Sequence, residues 1–269
     1  MKPNSERLKT RLAARHVGAL RNAVSDSVKD VDGLVEQWVH SHPADVAVST
    51  QTARDWTKAH ARTDDTALDA TLGRVYADGW TLGVDLTTYQ LAKYTLRRKA
   101  VSREAMANAL VTDWNTWTPG NQAASNLLRP PGGLQRLLDK RDVTIKELNS
   151  TSLNRIGTIL ANGLSAGSTP REMAKDINEM LDDPSRALMI SQTETSSAVV
   201  QASLDLYRES GVEMVEWLVA DPCDECAENE AQSPISIGED WINGDPPVHP
   251  NCMCDIAPYV VDTQGIFND

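Results

Sequence analysis

The sequence predicts a mainly α-helical N-terminal region followed by a small α+β C-terminal domain with a cysteine-rich loop region. Three observations lead to this fold class. Apolar residues recur at three- and four-residue steps through most of the chain up to residue 209, as they do on one face of a helix. Apolar residues alternate near residue 215 and form a short run near residue 256, which is typical of strands. All four cysteines lie between residues 223 and 254.

Four helices are predicted in the N-terminal region, at residues 5–39, 44–61, 65–98 and 103–115. His42 and Pro43 end the first of them, and Gly79 and Gly83 weaken the third, where we expect a bend. Proline and glycine punctuate residues 118–133 as in a connector. We therefore divide the chain into a helical region, 1–130, and a second domain, 131–269.

The second domain carries clearer signals at the ends of its elements. Thr169, Pro170 and Glu172 form a capping box ahead of a helix, and Gly211 closes a longer helix that begins at Pro184. These signals predict helices within 144–209, followed by a small β and cysteine-rich unit at 212–261 with strands at 215–219 and 256–261.

Composition and charge indicate a folded protein with two unlike ends. Of its 269 residues 41% are hydrophobic and 24% charged, which is ordinary for a globular chain. The net charge is −12, yet residues 1–30 hold seven basic and three acidic groups, while fourteen acidic and no basic residues follow from 209 onward. The basic end could contact phosphates or an acidic partner, or simply solvate a helix face, whereas nucleic acid would repel the acidic end.

The chain shows no targeting or membrane segment by sequence. Its N-terminus lacks the apolar core of a secretory signal, and no apolar run approaches the roughly 20 residues that a membrane helix needs. We therefore expect a reducing cytoplasm, where clustered cysteines bind metal more often than they form disulfides.

The cysteines and one histidine are the candidate metal ligands. Cys223 and Cys226 would meet on a tight turn, and Cys252 and Cys254 project to one side of an extended segment. Two such pairs provide the four soft ligands of a closed tetrahedral zinc site, with His249 replacing one cysteine or contacting a ligand. Disulfides and unligated thiols are the alternatives, although a Cys-x-Cys bridge would be strained.

A zinc ion bound in this way would be structural. The stretch PCDEC matches half of the zinc nucleobase deaminase motif, but no histidine is followed two positions later by glutamate. The metalloprotease motif His-Glu-x-x-His is absent as well. Four bound thiolates leave no coordination position for a water molecule, so we predict no catalytic residue and no enzyme.

Four stretches taken together resemble a known family. They are STPREMAKDI, SRALMISQTETSSA, GVEMVEWLVADPCDEC and PPVHPNCMC. In this order they resemble the phage head morphogenesis or minor capsid proteins with a Mu F-like C-terminal domain. The resemblance covers about residues 140–260, and residues 1–130 are similar to that family only in being helical.

The resemblance implies a minor head protein of a tailed phage that acts in head assembly at the inner side of the portal vertex. Its partners would be the portal protein and other head proteins, with packaged DNA as a further contact and no membrane. The protein would lie inside the capsid near the portal, and it would be in the host cytoplasm during assembly. Ejection from the capsid together with the DNA would be a further role. The helical region would provide the docking surface, and the zinc-bearing tail a rigid interaction unit.

Two other functions are considered, an enzyme or toxin-like effector packaged in the head and a DNA-binding internal head protein. For the enzyme, Arg186, Thr193 and Glu194 are loosely similar to ADP-ribosyltransferase signatures, but the paired Glu-x-Glu is missing. Arg186 and Thr193 share a helix face, and Glu194 points about 80° away into an apolar stripe. A carboxylate there needs a partner, so we interpret Glu194 as a structural group that ties its helix to the cysteine loops.

Overall fold

The computed structural model describes residues 4–43, 47–98, 132–220 and 223–259, without the side chains of 92–98. Within these ranges the helices are α1 (Ser5–Ser27), α2 (Val31–Ser41), α3 (Thr50–His60), α4 (Thr66–Arg98), α5 (Gly133–Asp139), α6 (Arg141–Ala166), α7 (Pro170–Leu181), α8 (Pro184–Glu209) and α9 (Asp224–Gln232). The strands are β1 (Val28–Lys29), β2 (Arg62–Thr63), β3 (Met214–Leu218), β4 (Ile235–Ser236) and β5 (Asp255–Pro258). The predicted fold class, mainly helical with a small C-terminal sheet, is confirmed. No helix in these ranges combines the length and apolar character of a membrane span.

The five strands form two small antiparallel sheets. β1 pairs with β2, and β3 lies between β4 and β5. In the larger sheet Val215 pairs with both Ile235 and Pro258, while Leu218 pairs with Asp255. The two apolar side chains Val215 and Trp217 are buried on one face of β3, as the alternation in the sequence predicts.

The chain forms two compact units, each assembled from separated stretches of sequence. Unit 1 comprises Met1–Arg15, Arg74–Leu138 and Met189–Asp269, and unit 2 comprises His16–Gly73 and Asp139–Leu188. These units differ from the consecutive division at residue 130 because helices pack against elements distant in the sequence. The boundary itself lies outside the described residues, so the division into 1–130 and 131–269 stays a prediction.

The first helix is shorter than predicted. α1 ends at Ser27, and Asp30 starts a separate helix, α2. Asp30 has a left-handed backbone with φ of 54°, and its Oδ1 accepts a hydrogen bond from the Gly33 N–H at 3.1 Å. Because an α-helix cannot continue through a left-handed residue, the prediction of one helix over 5–39 was wrong. The end at His42 is confirmed.

α3 and α4 are helices, as predicted, but the first residue of α3 differs from the prediction. α3 begins at Thr50 with Ser49 as its N-cap, several residues later than expected, and α4 is a single helix. A Cβ on Gly83 would lie 2.6 Å from the carbonyl oxygen of Val199, so this glycine permits close approach of α4 and α8. The predicted helix at 103–115 and most of the predicted connector lie outside the described residues.

Unit 2 has an apolar core built by α2, α3, α6 and α7. Trp38 is fully buried there and meets Trp56 edge to face, with ring centroids 5.1 Å apart. The capping box of α7 is confirmed, because Thr169 Oγ1 accepts the Glu172 N–H and Glu172 Oε2 accepts the Thr169 N–H. The buried core residues are Val28, Val31, Leu34, Val35, Trp38, Ala53, Ile156, Leu160, Ala161, Leu164, Met173, Ala174, Ile177 and Leu181.

Unit 1 combines buried apolar side chains with buried polar groups. One apolar cluster joins the first turns of α1 to α4 and α8 through Leu8, Leu12, Leu82, Leu86 and Val199. Beside it the Ser191 hydroxyl donates to the Ala13 carbonyl oxygen at 2.8 Å, and the Thr87 hydroxyl donates to Ser203 Oγ at 2.7 Å. Side-chain hydrogen bonds between residues distant in sequence therefore help to hold this unit together.

Candidate metal centre

The first cysteine pair lies at the N-terminus of α9. Cys223 is the N-cap, and its Sγ accepts a hydrogen bond from the Cys226 N–H at 3.4 Å. That N–H lowers the pKa of the Cys223 thiol, since it stabilises the thiolate. The predicted tight turn is thus the first turn of a helix that sequence analysis missed. Asp224 and Glu225, two acids in a first turn, were the available signal.

The second pair lies on the segment that enters β5. The Cys252 N–H donates to the His249 carbonyl oxygen at 3.1 Å, which closes a tight turn. Asn251, inside that turn, has a left-handed backbone with φ of 64°. Cys252 and Cys254 are 2% and 1% exposed, so both thiols face the interior of unit 1.

All five predicted donors come together around Cys226. Its Sγ lies 3.8 Å from Cys252 Sγ and 3.6 Å from His249 Nε2. His249 Nε2 also lies 3.1 Å from Cys223 Sγ. Two overlapping groups result, and in each of them all ligand atoms lie within 4.8 Å of one another: Cys223, Cys226 and His249, and Cys226, Cys252 and Cys254. Cys226 is the member that both groups share.

The sulfur spacing fits a shared metal ion, and the four cysteines form no disulfide in this structure. All four cysteines are thiols, and the 3.8 Å between Cys226 Sγ and Cys252 Sγ far exceeds the roughly 2.05 Å of a disulfide. Two sulfurs bound at about 2.3 Å to one tetrahedral ion lie about 3.8 Å apart. The pair is therefore spaced as two ligands of a single ion.

His249 is oriented as a ligand. Its Nδ1 lies 2.9 Å from the Pro250 carbonyl oxygen, which can only accept, so Nδ1 carries the hydrogen and donates. In the neutral ring the lone pair then lies on Nε2, which faces the sulfurs of Cys223 and Cys226. A backbone carbonyl bound to the far nitrogen is the usual support of a metal-bound histidine. The same hydrogen bond is the main cause that raises the pKa of His249.

The four thiols differ in pKa, and these differences show which thiols would have to lose a proton when a cation binds. Burial raises the pKa of Cys226 to about 12, and the hydrogen bond to Cys254, together with burial, raises that of Cys252. Cys254 accepts the hydrogen bond from Cys252 and another from the Ala220 N–H, and its pKa falls to about 5. Two of the thiols therefore keep their protons at neutral pH when no cation is bound. A divalent cation would replace these protons and allow the sulfurs to bind as thiolates.

A rigid frame surrounds the donors. The Asn229 side chain of α9 donates to the Gly244 carbonyl oxygen at 3.2 Å and accepts the Asn243 N–H at 3.0 Å. Trp217 on β3 is 3% exposed and meets Trp241 edge to face, with centroids 5.2 Å apart. The Trp217 side chain also contributes to the lowered pKa of Cys254. The helix, the loop after it and the sheet are thus joined next to the donors.

The polar residues predicted on α8 have separate structural partners. Thr193 Oγ1 accepts the Asn251 N–H at 3.1 Å, so Thr193 makes a hydrogen bond to the cysteine loop. Glu194 Oε2 accepts the Tyr76 hydroxyl of α4 at 2.7 Å. In unit 2, Arg186 donates to the Leu148 carbonyl oxygen at 3.2 Å and to the Ser152 hydroxyl at 2.9 Å.

Sequence analysis missed Lys9, which contacts the cysteine segment from α1. Its Nζ is completely buried and lies 2.9 Å from the Cys254 carbonyl oxygen and 3.3 Å from Asp255 Oδ2. The signal was present in the sequence, because Leu12 and Ala13 follow at three and four residues and place position 9 on the apolar face of α1. A lysine on such a face needs buried acceptors.

Five donors are available where a tetrahedral ion takes four. An ion bound by four of them would have no open position for water or substrate, which is the arrangement of a structural site. Comparisons of the chain with protein-family models, with curated proteins and with solved structures give no match.

Proposed function

We propose that this chain is a minor head protein of a tailed phage, that it acts without catalysis in head assembly at the inner side of the portal vertex, and that its tail holds one structural zinc ion. The resemblance of four stretches to the Mu F-like minor capsid proteins supports the first part. The position of Cys226 in both donor groups is the observation that carries the zinc site.

The chemistry of the donors selects the metal class. Thiolate and imidazole are ligands of zinc and other late transition metals, whereas magnesium and calcium take oxygen ligands. Zinc accepts a tetrahedral set of three or four sulfurs, with or without one histidine nitrogen. The ion would be bound by Cys226 and by three of the four donors around it, which are Cys223, His249, Cys252 and Cys254.

Elemental analysis tests the zinc site directly. The full chain, purified under reducing and chelator-free conditions, should contain about one zinc per chain. Cys226→Ser should lose it, since this residue belongs to both groups. Single alanine substitutions of Cys223, His249, Cys252 and Cys254 identify the other three ligands as the residues whose loss releases the ion. His60→Ala, an exposed histidine of α3, is the matched control, and a wild-type zinc content near zero contradicts the proposal.

Three of the four resembling stretches contact one another in unit 1, which supports their interpretation as parts of a single motif. Thr193, from the TETSSA part of α8, accepts the Asn251 N–H of the HPNCMC stretch. Trp217, from the strand stretch, contributes to the lowered pKa of Cys254. Glu194, the one candidate acid for an effector enzyme, accepts a hydrogen bond from Tyr76, as expected of a structural carboxylate.

Within the helical region, the basic residues 1–30 are the part that we propose to dock on an acidic surface of the portal protein. Leu8, Lys9 and Leu12 are buried, so deletion of this segment would disturb the fold of unit 1. Arg7 and Arg15 are exposed on α1 and are the groups that an acidic surface of the portal protein would meet. The double substitution Arg7→Gln, Arg15→Gln removes both charges without touching the core.

We expect this double variant to melt like the wild type and to be incorporated poorly into heads. Binding to purified portal protein and the content of finished virions are the two measurements. Lys175→Gln, which removes an exposed charge from α7, is the control. Undiminished incorporation would contradict docking through α1. The DNA-binding function would instead be favoured if the wild type bound duplex DNA with an affinity that falls steeply as salt rises, and if the double variant did not bind DNA.

A further inference from the structure

Lys9 is held by three acceptors in the middle of unit 1. Its ammonium group has three N–H donors, and Nζ lies 2.9 Å from the Cys254 carbonyl oxygen, 3.2 Å from Ser196 Oγ and 3.3 Å from Asp255 Oδ2. The side chain of Lys9 is 0% exposed, and that of Asp255 is 5% exposed. One buried cation thus joins α1, α8 and the cysteine segment.

Two of the three acceptors belong to the segment that a metal ion would fix. Cys252 and Cys254 are donors of the candidate centre, and Asp255 follows directly. The other end of this segment is fixed by the sheet, because Asp255 pairs with Leu218 of β3. The Cys254 carbonyl oxygen therefore lies between the metal donors on one side and the β3 pairing on the other.

We infer that Lys9 is a clasp through which metal binding and the docking of α1 residues 5–15 reinforce each other. This inference rests on the proposed zinc site. A bound ion holds the backbone at Cys254 where its carbonyl oxygen and the Asp255 carboxylate receive the Lys9 ammonium group. Lys9, in return, holds the same backbone in the position that the ion requires.

By thermodynamic linkage, the effect of zinc on the docking of α1 equals the effect of this docking on zinc affinity. If zinc strengthens the docking of α1 by a given factor, docking strengthens zinc binding by that same factor. A buried ammonium group whose acceptors move has no water to replace them, so the coupling is stronger than that of an exposed ion pair. The packing of Leu8 and Leu12 against Leu82 and Leu86 remains without the metal. We therefore expect α1 to loosen, and not to detach completely, when zinc is removed.

Hydrogen exchange on the unaltered full chain is the first test. Peptides covering residues 5–15 are compared in the zinc-loaded protein and after removal of zinc with a chelator, and peptides from α7 in unit 2 are the internal reference. The clasp requires faster exchange in residues 5–15 of the zinc-free protein. Equal exchange in both states would overturn it.

Zinc affinity is the second test. Competition against a chromophoric chelator is measured for the wild type, for Lys9→Met and for Lys175→Met, in which an exposed lysine of α7 is lost. Lys9→Met should bind zinc about 5- to 150-fold more weakly, the usual range of coupling between sites, and Lys175→Met should match the wild type. Full zinc content with unchanged affinity in Lys9→Met would overturn the clasp alone. A wild type without zinc would overturn the clasp together with the zinc site.

Discussion

Both units bury many apolar side chains, but unit 1 buries more charged side chains and three thiols. Among the described residues of unit 2, Arg186 is the one buried charged side chain, in addition to the apolar core of α2, α3, α6 and α7. Unit 1 buries Lys9, Asp205, Asp255 and the three thiols among its apolar side chains. Apolar burial has no direction and tolerates repacking, but a buried polar network needs every partner. The two units should therefore respond differently to the same kinds of perturbation.

The largest difference should follow from removal of the metal ligand common to both groups. Structural zinc binding in small modules contributes on the order of 10 kcal/mol, and that energy is local to the segments that the ion joins. Cys226→Ser should therefore unfold the region of α9 and β3–β5 while the helices of unit 2 keep their slow exchange. Hydrogen exchange by mass spectrometry resolves the two units. An equal rise in hydrogen exchange in both units would contradict the proposed difference between them.

An apolar truncation should produce the reverse pattern. Ile156 is fully buried in the core of unit 2, and Ile156→Ala should reduce the free energy of unfolding by about 2–5 kcal/mol. Hydrogen exchange should quicken in α2, α3, α6 and α7, while the zinc content stays at the wild-type value. Val143→Ala, at an exposed position of α6, is the control. Loss of zinc in Ile156→Ala would show that the centre depends on unit 2.

Zinc affinity should rise steeply with pH. Without metal, Cys226 has a pKa of about 12 and the pKa of Cys252 is also raised, so both are protonated at neutral pH. Binding displaces the Cys226 proton, and the Cys252 proton as well if Cys252 is a ligand, so the association constant should increase about 10- to 100-fold per pH unit between pH 7 and 8. Chelator competition at several pH values measures this slope. A slope near zero would show that the sulfurs do not bind as thiolates.

The Tyr76 and Glu194 pair gives a smaller effect in unit 1 and separates structure from catalysis. Tyr76→Phe removes the hydroxyl that donates to the Glu194 carboxylate, and should cost about 1.5–3 kcal/mol. Glu194→Gln should cost a similar amount, and phage yield should follow the melting temperature in both variants. The packaged-enzyme function would be favoured over head assembly if Glu194→Gln kept the wild-type melting temperature and was incorporated into heads normally, but the resulting particles could not infect.

The smallest effect is expected at the capping box of unit 2. Thr169→Ala removes the acceptor of the Glu172 N–H and should cost about 1 kcal/mol. The pKa of Glu172 is lowered by its hydrogen bonds to Thr169, so this contribution is present at neutral pH and is lost as the pH falls through the pKa of the folded state. Thermal unfolding at neutral and acid pH measures both. If Thr169→Ala lost more stability at acid pH than at neutral pH, the hydrogen bonds assigned between Thr169 and Glu172 would be contradicted.

Local signals in the sequence were sufficient for much of the fold. The capping box, the helix from Pro184 to Glu209 and the strand around Val215 each depend on residues close together in the chain, and all three are confirmed. The five donors were also identified from spacing alone, and the structure brings them together. Short-range chemistry determines these features, so one sequence is enough to predict them.

The remaining features depend on contacts between distant residues or on unusual backbone. A left-handed aspartate at position 30 could not be distinguished from a helical one, because aspartate is tolerated in both conformations. The partner of Glu194 is Tyr76, 118 residues earlier, and that of Lys9 lies 245 residues later. Periodicity places such groups on a buried face, but it does not say which distant atom meets them.

The Lys9 contact also sets an order for synthesis and folding. During synthesis Lys9 precedes its carbonyl partner at Cys254 by 245 residues. Joining segments so far apart carries a large loop-closure cost, so the clasp belongs to the late steps of folding. Until then the apolar face of α1 with Leu8 and Leu12 has no complete partner surface, and a nascent chain would present it to chaperones.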